Sequence, residues 1–472
     1  MPIRYSMFKR IGPAAAVCLL ASSLALAKPQ TPSNENGGQS GVRYLTYDET
    51  RDTIAKYADS GMPGSKIASR GDWESWIREQ DRDIRSRIDR GVEDSISNLA
   101  LFGTAFSRMP RFEDSEAAED RKTKSLTAKA ISRVADLASA IENNSPDERV
   151  AFVRQYLKRK RIAAAQRRAY LQANLLRYLN EQRRYRAKLE EAAKSGDKST
   201  VTAARGTLYA TRGLSVDTSL LPNYAIEDTL RVMLGKGAIK TGEIKRIAVI
   251  GPGLDFADKR DGYDFYPLQT IQPFAVMEAV ERLGLGKREE LQVMTLDLNA
   301  AVNSHVARVS EGGKSGQRYQ VQLPRDIDAP WTTQAVNYWE NFGGVIGSPA
   351  KPLAVPQQLP SVRLRALAIT SDRAARLKPV DLNIVAQTTD FAEGEGFDLV
   401  IATNILVYYD HFQQALAMTN IARMMNPGGI FVCNTALPSA HDERLKYLGG
   451  RSVAYAQDGS YGDDIVVYRM QP

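Results

Sequence analysis

Six residues in the second half of this 472-residue chain could hold a ligand, and each stands just after a short apolar run. Ile247-Ala248-Val249-Ile250 leads into Gly251-Pro252-Gly253. Glycines at a strand's end let backbone N–H groups and a ligand approach closely, although an ordinary turn uses the same residues. Leu291 to Leu296 ends at Asp297. A carboxylate at the tip of a second strand can accept from both hydroxyls of a ribose, and the same residue can also cap the helix that starts after it. Leu382 to Gln387 leads through Thr388-Thr389 to Asp390 and Phe391. There a carboxylate could accept from the exocyclic amine of a purine and a ring could pack on its face; a polar loop beside a core Phe is the alternative. Leu399 to Ala402 ends at Asn404. The chain holds three histidines, His305, His411 and His441, and none has metal-ligand spacing with Cys or another His.

The elements that must position these residues are legible from Phe397 to Val432. Leu399 to Ala402 is too short for a helix and reads as a strand buried on both faces. Asp410 then precedes a helical pattern with Ala415, Met418, Ile421 and Met425 on one face, where its carboxylate can accept from the first free N–H groups. Asn426-Pro427-Gly428-Gly429 stops that helix, and Ile430 to Val432 opens the next strand. Strand, helix, turn, strand is a βαβ crossover of a parallel sheet, and such sheets bind ligands beyond the carboxyl ends of their strands. Near the C-terminus Ser452–Tyr455 and Ile465–Arg469 form a hairpin through Gln457 to Gly462, which adds an antiparallel strand.

Together these features resemble the class I S-adenosylmethionine-dependent methyltransferases. The shared layout is the glycine turn, the acid ending the second strand, an acidic loop before Phe397-Asp398-Leu399-Val400, the NPGG turn and the terminal hairpin. The run Thr403 to Asp410, TNILVYYD, is similar to a segment of chemotaxis-receptor methyltransferases. The resemblance covers residues 241–472. It implies an α/β fold: a Rossmann-like seven-stranded sheet with an antiparallel last strand. It also implies S-adenosylmethionine as cofactor, with Gly251 and Gly253 at its methionine end, Asp297 on the ribose, Asp390 and Phe391 about the adenine and Asn404 near the sulfonium. The chain departs from the family at Val249, where an acid is usual, and at Asp255, where a third glycine is usual. The loop Leu254–Pro267 is long, and Ser310–Arg363 is an insertion whose Trp331, Tyr338, Trp339 and Phe342 have the spacing of a core-facing helix.

The first half reads differently. Arg4, Lys9 and Arg10 precede an apolar run, Ile11 to Ala27, that ends Ala-Leu-Ala: the pattern of a secretory signal, with an uncleaved anchor as its competitor. Cleavage after Ala27 removes three positive charges and no acid, taking the net charge from +8 to +5. It also removes Cys18, leaving Cys433 as the lone thiol, so no intrachain disulfide is possible. Residues 28–43 read as a tether, and 44–240 as a mostly α-helical domain with helices over Asp72–Arg90, Lys124–Glu142 and Asp147–Ala193. Arg149 to Lys188 holds 13 Lys and Arg against one acid, Glu181. That segment is either a helix with a solvated basic face or a surface for an anionic lipid or cell-wall polymer. Nucleic acid is a poor candidate, since no aromatic-interleaved RNA motif is present.

Three functions fit this reading. The first is methyl transfer to an acceptor that the residues do not name. The second is an exported methyltransferase-like domain without catalysis, binding or structural in the envelope; export favours it, because S-adenosylmethionine is a cytoplasmic metabolite. The third is a nicotinamide-dependent enzyme, which the Phe256 standing where GxGxxG needs glycine disfavours.

Overall fold

The computed structural model describes residues 41–58, 67–120, 122–194, 213–215, 218–257, 263–434, 442–459 and 461–472. The expected signal segment 1–27, and the tether up to residue 40, lie outside the described residues. The chain from Gly41 onward is one compact unit.

At its centre is a seven-stranded sheet. Its strands are β2 (Arg246–Ile250), β3 (Gln292–Asp297), β7 (Leu377–Asp381), β9 (Phe397–Ala402), β10 (Met425–Cys433), β11 (Leu445–Ala454) and β12 (Gly462–Met470). They lie in the order β11-β12-β10-β9-β2-β3-β7. The pairs from β10 across to β7 are parallel, and β12 runs antiparallel to both of its neighbours. The expected reversed last strand is therefore present. Register follows the side-chain alternation of each strand. Ile247 and Val249 of β2 enter the core on one face, and Ala248 and Ile250 enter the core on the other. The helix α10 (His411–Met424) is capped as expected: Asp410 accepts from the Gln413 N–H, and the Gln413 side chain accepts from the Asp410 N–H.

The third parallel strand is not where the apolar run suggested. Leu382–Gln387 was expected to be a strand, but β7 lies five residues earlier and contains Pro379. Pro is tolerated there because β7 is an edge strand. Residues 382–386 instead form a turn held by Asn383, whose Oδ1 accepts from the Val385 N–H at 3.1 Å. The chain then pairs β8 (Gln387–Thr389) antiparallel with β1 (Val42–Tyr44).

In the first half, α1 (Tyr47–Tyr57) packs on the helix His411–Met424, where Thr53 bonds Thr419 and the Tyr57 ring meets Phe412, and the 33-residue α2 (Arg70–Phe102) ties two cores together. Trp73, Ile77 and Ile84 belong to the sheet's core. Val92, Ile96 and Leu99 belong to a helical core shared with α3 (Ala128–Glu142), α4 (Glu148–Arg159) and α5 (Arg167–Lys194). The helix expected over Asp147–Ala193 is thus broken after Arg159, where Arg161 takes φ +57° and a 3-10 turn spans Ala164–Gln166. Five of that segment's 13 basic residues pair with acids among the described residues. Arg159 and Lys160 pair with Asp89, Arg177 with Asp94, Arg183 with Glu119 and Arg186 with Glu116. Arg149 is fully buried. No described helix is long and apolar enough to cross a membrane.

Three helices, α6 (Leu221–Gly235), α7 (Gln272–Arg282) and α8 (Ala300–Lys314), cover the other face of the sheet. The insertion builds a small antiparallel sheet, β4 (Tyr319–Asp326), β6 (Val362–Ile369) and β5 (Gly347–Ala350), together with α9 (Thr333–Asn341). Trp331, Tyr338, Trp339 and Phe342 are all buried in the same core. Glu278 of α7, itself fully buried, anchors the segment after α9 by accepting from the N–H groups of Gly343, Val345 and Ile346.

Candidate functional site

The carboxyl ends of β2, β3 and β9 open into one cavity of about 860 Å³, lined by Gly251, Gly253, Asp297 and Asn404. That size falls within the roughly 300–1,000 Å³ of small-molecule sites. Four of the six residues singled out from the sequence are therefore brought together.

Gly251 and Gly253 take φ +64° and +66°, the left-handed region that glycine enters without steric penalty. The Gly251 N–H donates to the Leu296 carbonyl at 2.8 Å and so knits the glycine corner to β3. A Cβ at Gly251 would lie 2.1 Å from the Cδ1 of Ile405. The side chain of Ile405 thus rests on this glycine.

Asp297 is half-buried at the tip of β3. Its Oδ1 accepts from the Asn299 N–H at 2.7 Å, and the Gly253 N–H also reaches the carboxylate. Asn299, not Asp297, caps α8, accepting from the Ala301 N–H at 2.9 Å. Burial, with lesser repulsion from Asp381, pushes the Asp297 carboxyl up to about 7, although the backbone donors work against this.

Asn404 is exposed and holds φ +58°, an uncommon conformation for a residue with a side chain. Its partner is Asn434, one residue past β10. The Asn404 N–H donates to Asn434 Oδ1 at 2.7 Å, and Asn434 Nδ2 donates to Asn404 Oδ1 at 2.6 Å. Asn434 Nδ2 also lies 3.3 Å from Asp463 Oδ1, and the Tyr455 hydroxyl donates to Asp463 Oδ2 at 2.7 Å. Beside them Gln272 Nε2 donates to Thr403 Oγ1 at 2.7 Å.

Asp390 and Phe391 are not brought to this cavity. Asp390 pairs with Arg43 at 2.7 Å, and the Phe391 ring packs edge-on against Phe397 with centroids 5.0 Å apart. Phe397 is the first residue of β9, so this pair lies at the amino end of the strand, away from the glycines. The turn at 382–386 has already carried the chain away from the carboxyl end of β7. The apolar residues that do line the cavity beside Asp297 are Leu298, Leu382 and Ile384. Leu298 could have been found from the sequence, since it follows the acid that ends the second strand; Leu382 and Ile384 could not, because that run reads as a strand of its own.

The helical region contributes a wall that the sequence did not foreshadow. Asp94 and Asn98 of α2, with Tyr178 and Tyr185 of α5, line the cavity, as do Tyr461 and Asp463 of the terminal hairpin. Among the described residues no group of three or more His, Cys, Asp or Glu could hold a metal ion.

No protein-family model matches the chain, and a search of curated proteins found no significant relative. Among solved structures it is similar to the N-methyltransferase NodS from Bradyrhizobium japonicum WM9, at 12% identity and TM-score 0.27, over 53% of this chain and 98% of that one. It is also similar to the magnesium protoporphyrin IX methyltransferase from Synechocystis PCC 6803, solved with bound SAM, at 7% identity and TM-score 0.25, over 58% of this chain and 85% of that one. TM-scores this low carry no argument; the fold rests on the strand order and register above.

Proposed function

We propose that the cavity binds S-adenosylmethionine and that the chain transfers its methyl group to an acceptor. The observation that carries this reading is the convergence of Gly251, Gly253 and Asp297 on one cavity at the carboxyl ends of adjacent parallel strands. The sheet order, with one antiparallel strand beside β10, is the layout that the sequence resemblance implied. The residues fit the cofactor. Asp297 offers a carboxylate to the ribose hydroxyls, Leu298, Leu382 and Ile384 offer an apolar slot for the adenine, and the two glycines leave backbone room for the methionine end. When bound, the cofactor supplies an activated methyl carbon; the protein supplies orientation and electrostatics. Asp94, Asn98, Tyr178 and Tyr185 wall the site from the helical side.

The test is calorimetry of the chain with S-adenosylhomocysteine. A hydrogen bond to a charged acceptor contributes on the order of 1.5–3 kcal/mol, so Asp297→Ala should weaken binding about tenfold or more. Heat with NAD and none with the adenosyl ligand would favour the nicotinamide reading.

One observation favours a second reading, a domain that keeps the fold for binding or structure alone. The Ile405 side chain covers Gly251, so packing by itself accounts for that glycine. We also infer export, on the basic, apolar and Ala-Leu-Ala pattern of residues 4–27. Intact-mass measurement of protein from its native host should find Lys28 at the N-terminus; a cytoplasmic chain retaining Met1 would overturn export and remove the objection to catalysis.

A further inference from the structure

We propose that the methyl acceptor is a basic amine and that Asp463 selects it. This rests on the methyl-transfer reading of the cavity and adds a substrate class to it.

Three polar side chains stand at the same end of three adjacent strands: Asn404 after β9, Asn434 after β10 and Asp463 at the start of the antiparallel β12. They are joined by hydrogen bonds of 2.6 Å between Asn434 and Asn404 and 3.3 Å between Asn434 and Asp463. The Tyr455 hydroxyl, from a fully buried residue, fixes the other oxygen of Asp463. A wall of this kind is pre-organised, so a ligand that meets it need not order it first.

The charges then choose the ligand. The chain carries a formal charge of +8, yet the formally charged groups among the described residues lining the cavity are Asp94, Asp297, Asp463 and Asp464. Asp94 is matched by Arg177 at 2.8 Å, and Asp464 is held by the Ser452 hydroxyl. Asp297 belongs to the cofactor side. Asp463 is left as a half-buried carboxylate with no cation paired to it among the described residues. A cleft lined by one sign of charge concentrates ligands of the other sign and repels its own. A carboxylate or phosphate acceptor would meet repulsion here, whereas an amine meets a partner.

Asn98 adds an independent sign of a donor-bearing ligand. It lines the cavity at 7% exposure, and its Oδ1 has no hydrogen-bond partner. A buried acceptor left unsatisfied is costly, and an N–H from a ligand removes that penalty. Tyr178, Tyr408 and Tyr461 line the same space and suit a cation, which aromatic rings attract.

The bound ammonium first gives one proton to water by way of Asp463, which frees its lone pair. That lone pair forms the new N–C bond while the methyl–sulfur bond breaks and its electron pair stays on sulfur. The nitrogen becomes positive again as the bond forms, which the Asp463 carboxylate stabilises. The product leaves as the methylated ammonium, so each turnover releases one proton.

The experiment uses the full chain, with S-adenosylhomocysteine calorimetry first and then transfer of isotopic methyl from S-adenosylmethionine to tyramine, tyrosol and hydroxyphenylacetate, a matched amine, alcohol and acid. We expect label on tyramine alone. Asp463→Asn should lower kcat/KM for tyramine by about 30-fold or more, the loss of a charged hydrogen bond, while S-adenosylhomocysteine affinity stays within about twofold. Asp463→Glu keeps the charge and should recover most of the lost activity. Label on the alcohol or acid, no label on tyramine although S-adenosylhomocysteine binds, or an Asp463→Asn variant as active as the parent would each overturn the acceptor class alone. Absence of S-adenosylhomocysteine binding would overturn the cofactor reading beneath it, and the acceptor proposal with it.

Discussion

Asp297 and Asp381 are register partners at the carboxyl ends of β3 and β7, yet among the described residues only Asp381 has a cation, Arg85 at 2.8 Å. Arg85 also holds Asp81 at 2.9 Å, so α2 neutralises one side of this acidic edge and leaves Asp297 to the cavity. Burial and, to a lesser degree, the neighbouring Asp381 raise the Asp297 carboxyl to about 7.

A pH dependence follows from that asymmetry. A carboxyl raised in the folded state contributes its stability in full below its ordinary range near pH 4, and loses it as pH rises through about 7. Thermal stability of the free protein should therefore fall between about pH 4 and 7 through this group and level off above, and Asp297→Asn should flatten the fall. Ligand hydroxyls favour the charged form, so the sign for binding is opposite. S-adenosylhomocysteine affinity should rise from pH 6 to 8, with proton release on binding near pH 7, detected by calorimetry in buffers of different ionisation heat. Proton release that persists in Asp297→Asn would assign the effect to another group.

Gly91 is the point where α2 admits the segment that lines the cavity. A Cβ there would lie 1.6 Å from the Leu214 carbonyl oxygen, and one at Gly213 would lie 2.3 Å from the Gly91 nitrogen. Neither backbone can yield as a flexible side chain would. Gly91→Ala should cost about 1–3 kcal/mol as an overpacked contact, despite alanine's better helix propensity, measured by denaturant unfolding. A neutral or stabilising result would mean that the 213–215 segment moves away freely.

The long loop after the glycines is pinned by one guanidinium. Arg149 of α4 donates to the carbonyls of Asp255, Phe256, Tyr263, Asp264 and Tyr266. Asp264 in turn accepts from the Thr104 and Ala105 N–H groups at 2.6 and 2.8 Å. Arg149→Met leaves those carbonyls buried without donors and should lose on the order of 3 kcal/mol or more. Arg159→Gln, whose pair with Asp89 is exposed, should change stability by about 0.5 kcal/mol or less. Comparable losses in the two variants would contradict the clamp.

Gly251 and Ile405 should behave as a coupled pair. Gly251→Ala meets both the left-handed φ of +64° and the Ile405 side chain. Ile405→Ala removes the second obstacle only, so the double variant should recover part of the loss, a coupling of about 0.5–3 kcal/mol in a double-mutant cycle. Strict additivity would leave backbone strain as the whole cause. If the second functional reading fails, Ile405→Ala should also tighten S-adenosylhomocysteine by opening the glycine corner.

What the sequence determined by itself was local. Apolar runs such as Ile247 to Ile250 and Leu399 to Ala402, ended by glycine or a polar residue, specify buried strands and where they stop; Asp410 and Asn426-Pro427 specify a helix and its ends. The unbroken apolar run along β2 specifies that both faces are covered. Gly251, Gly253, Asp297 and Asn404 were legible for that reason, since strand ends of one parallel sheet must lie side by side. Tertiary structure decided whatever depended on which end of the sheet a loop reaches, and what packs over it. Leu382–Gln387 has the composition of a strand, but the edge of the sheet accepted Pro379 and left that run as a turn, which carried Asp390 and Phe391 to the wrong end. Arg149 reads as one more charge on a basic helix, and only burial against five carbonyls makes it a clamp. Asp94, Asn98 and Tyr178 reach the cavity because α2 crosses from the sheet's core to the helical core. Contacts between residues more than 100 positions apart leave no period in the sequence, because packing responds to shape and burial rather than to spacing along the chain.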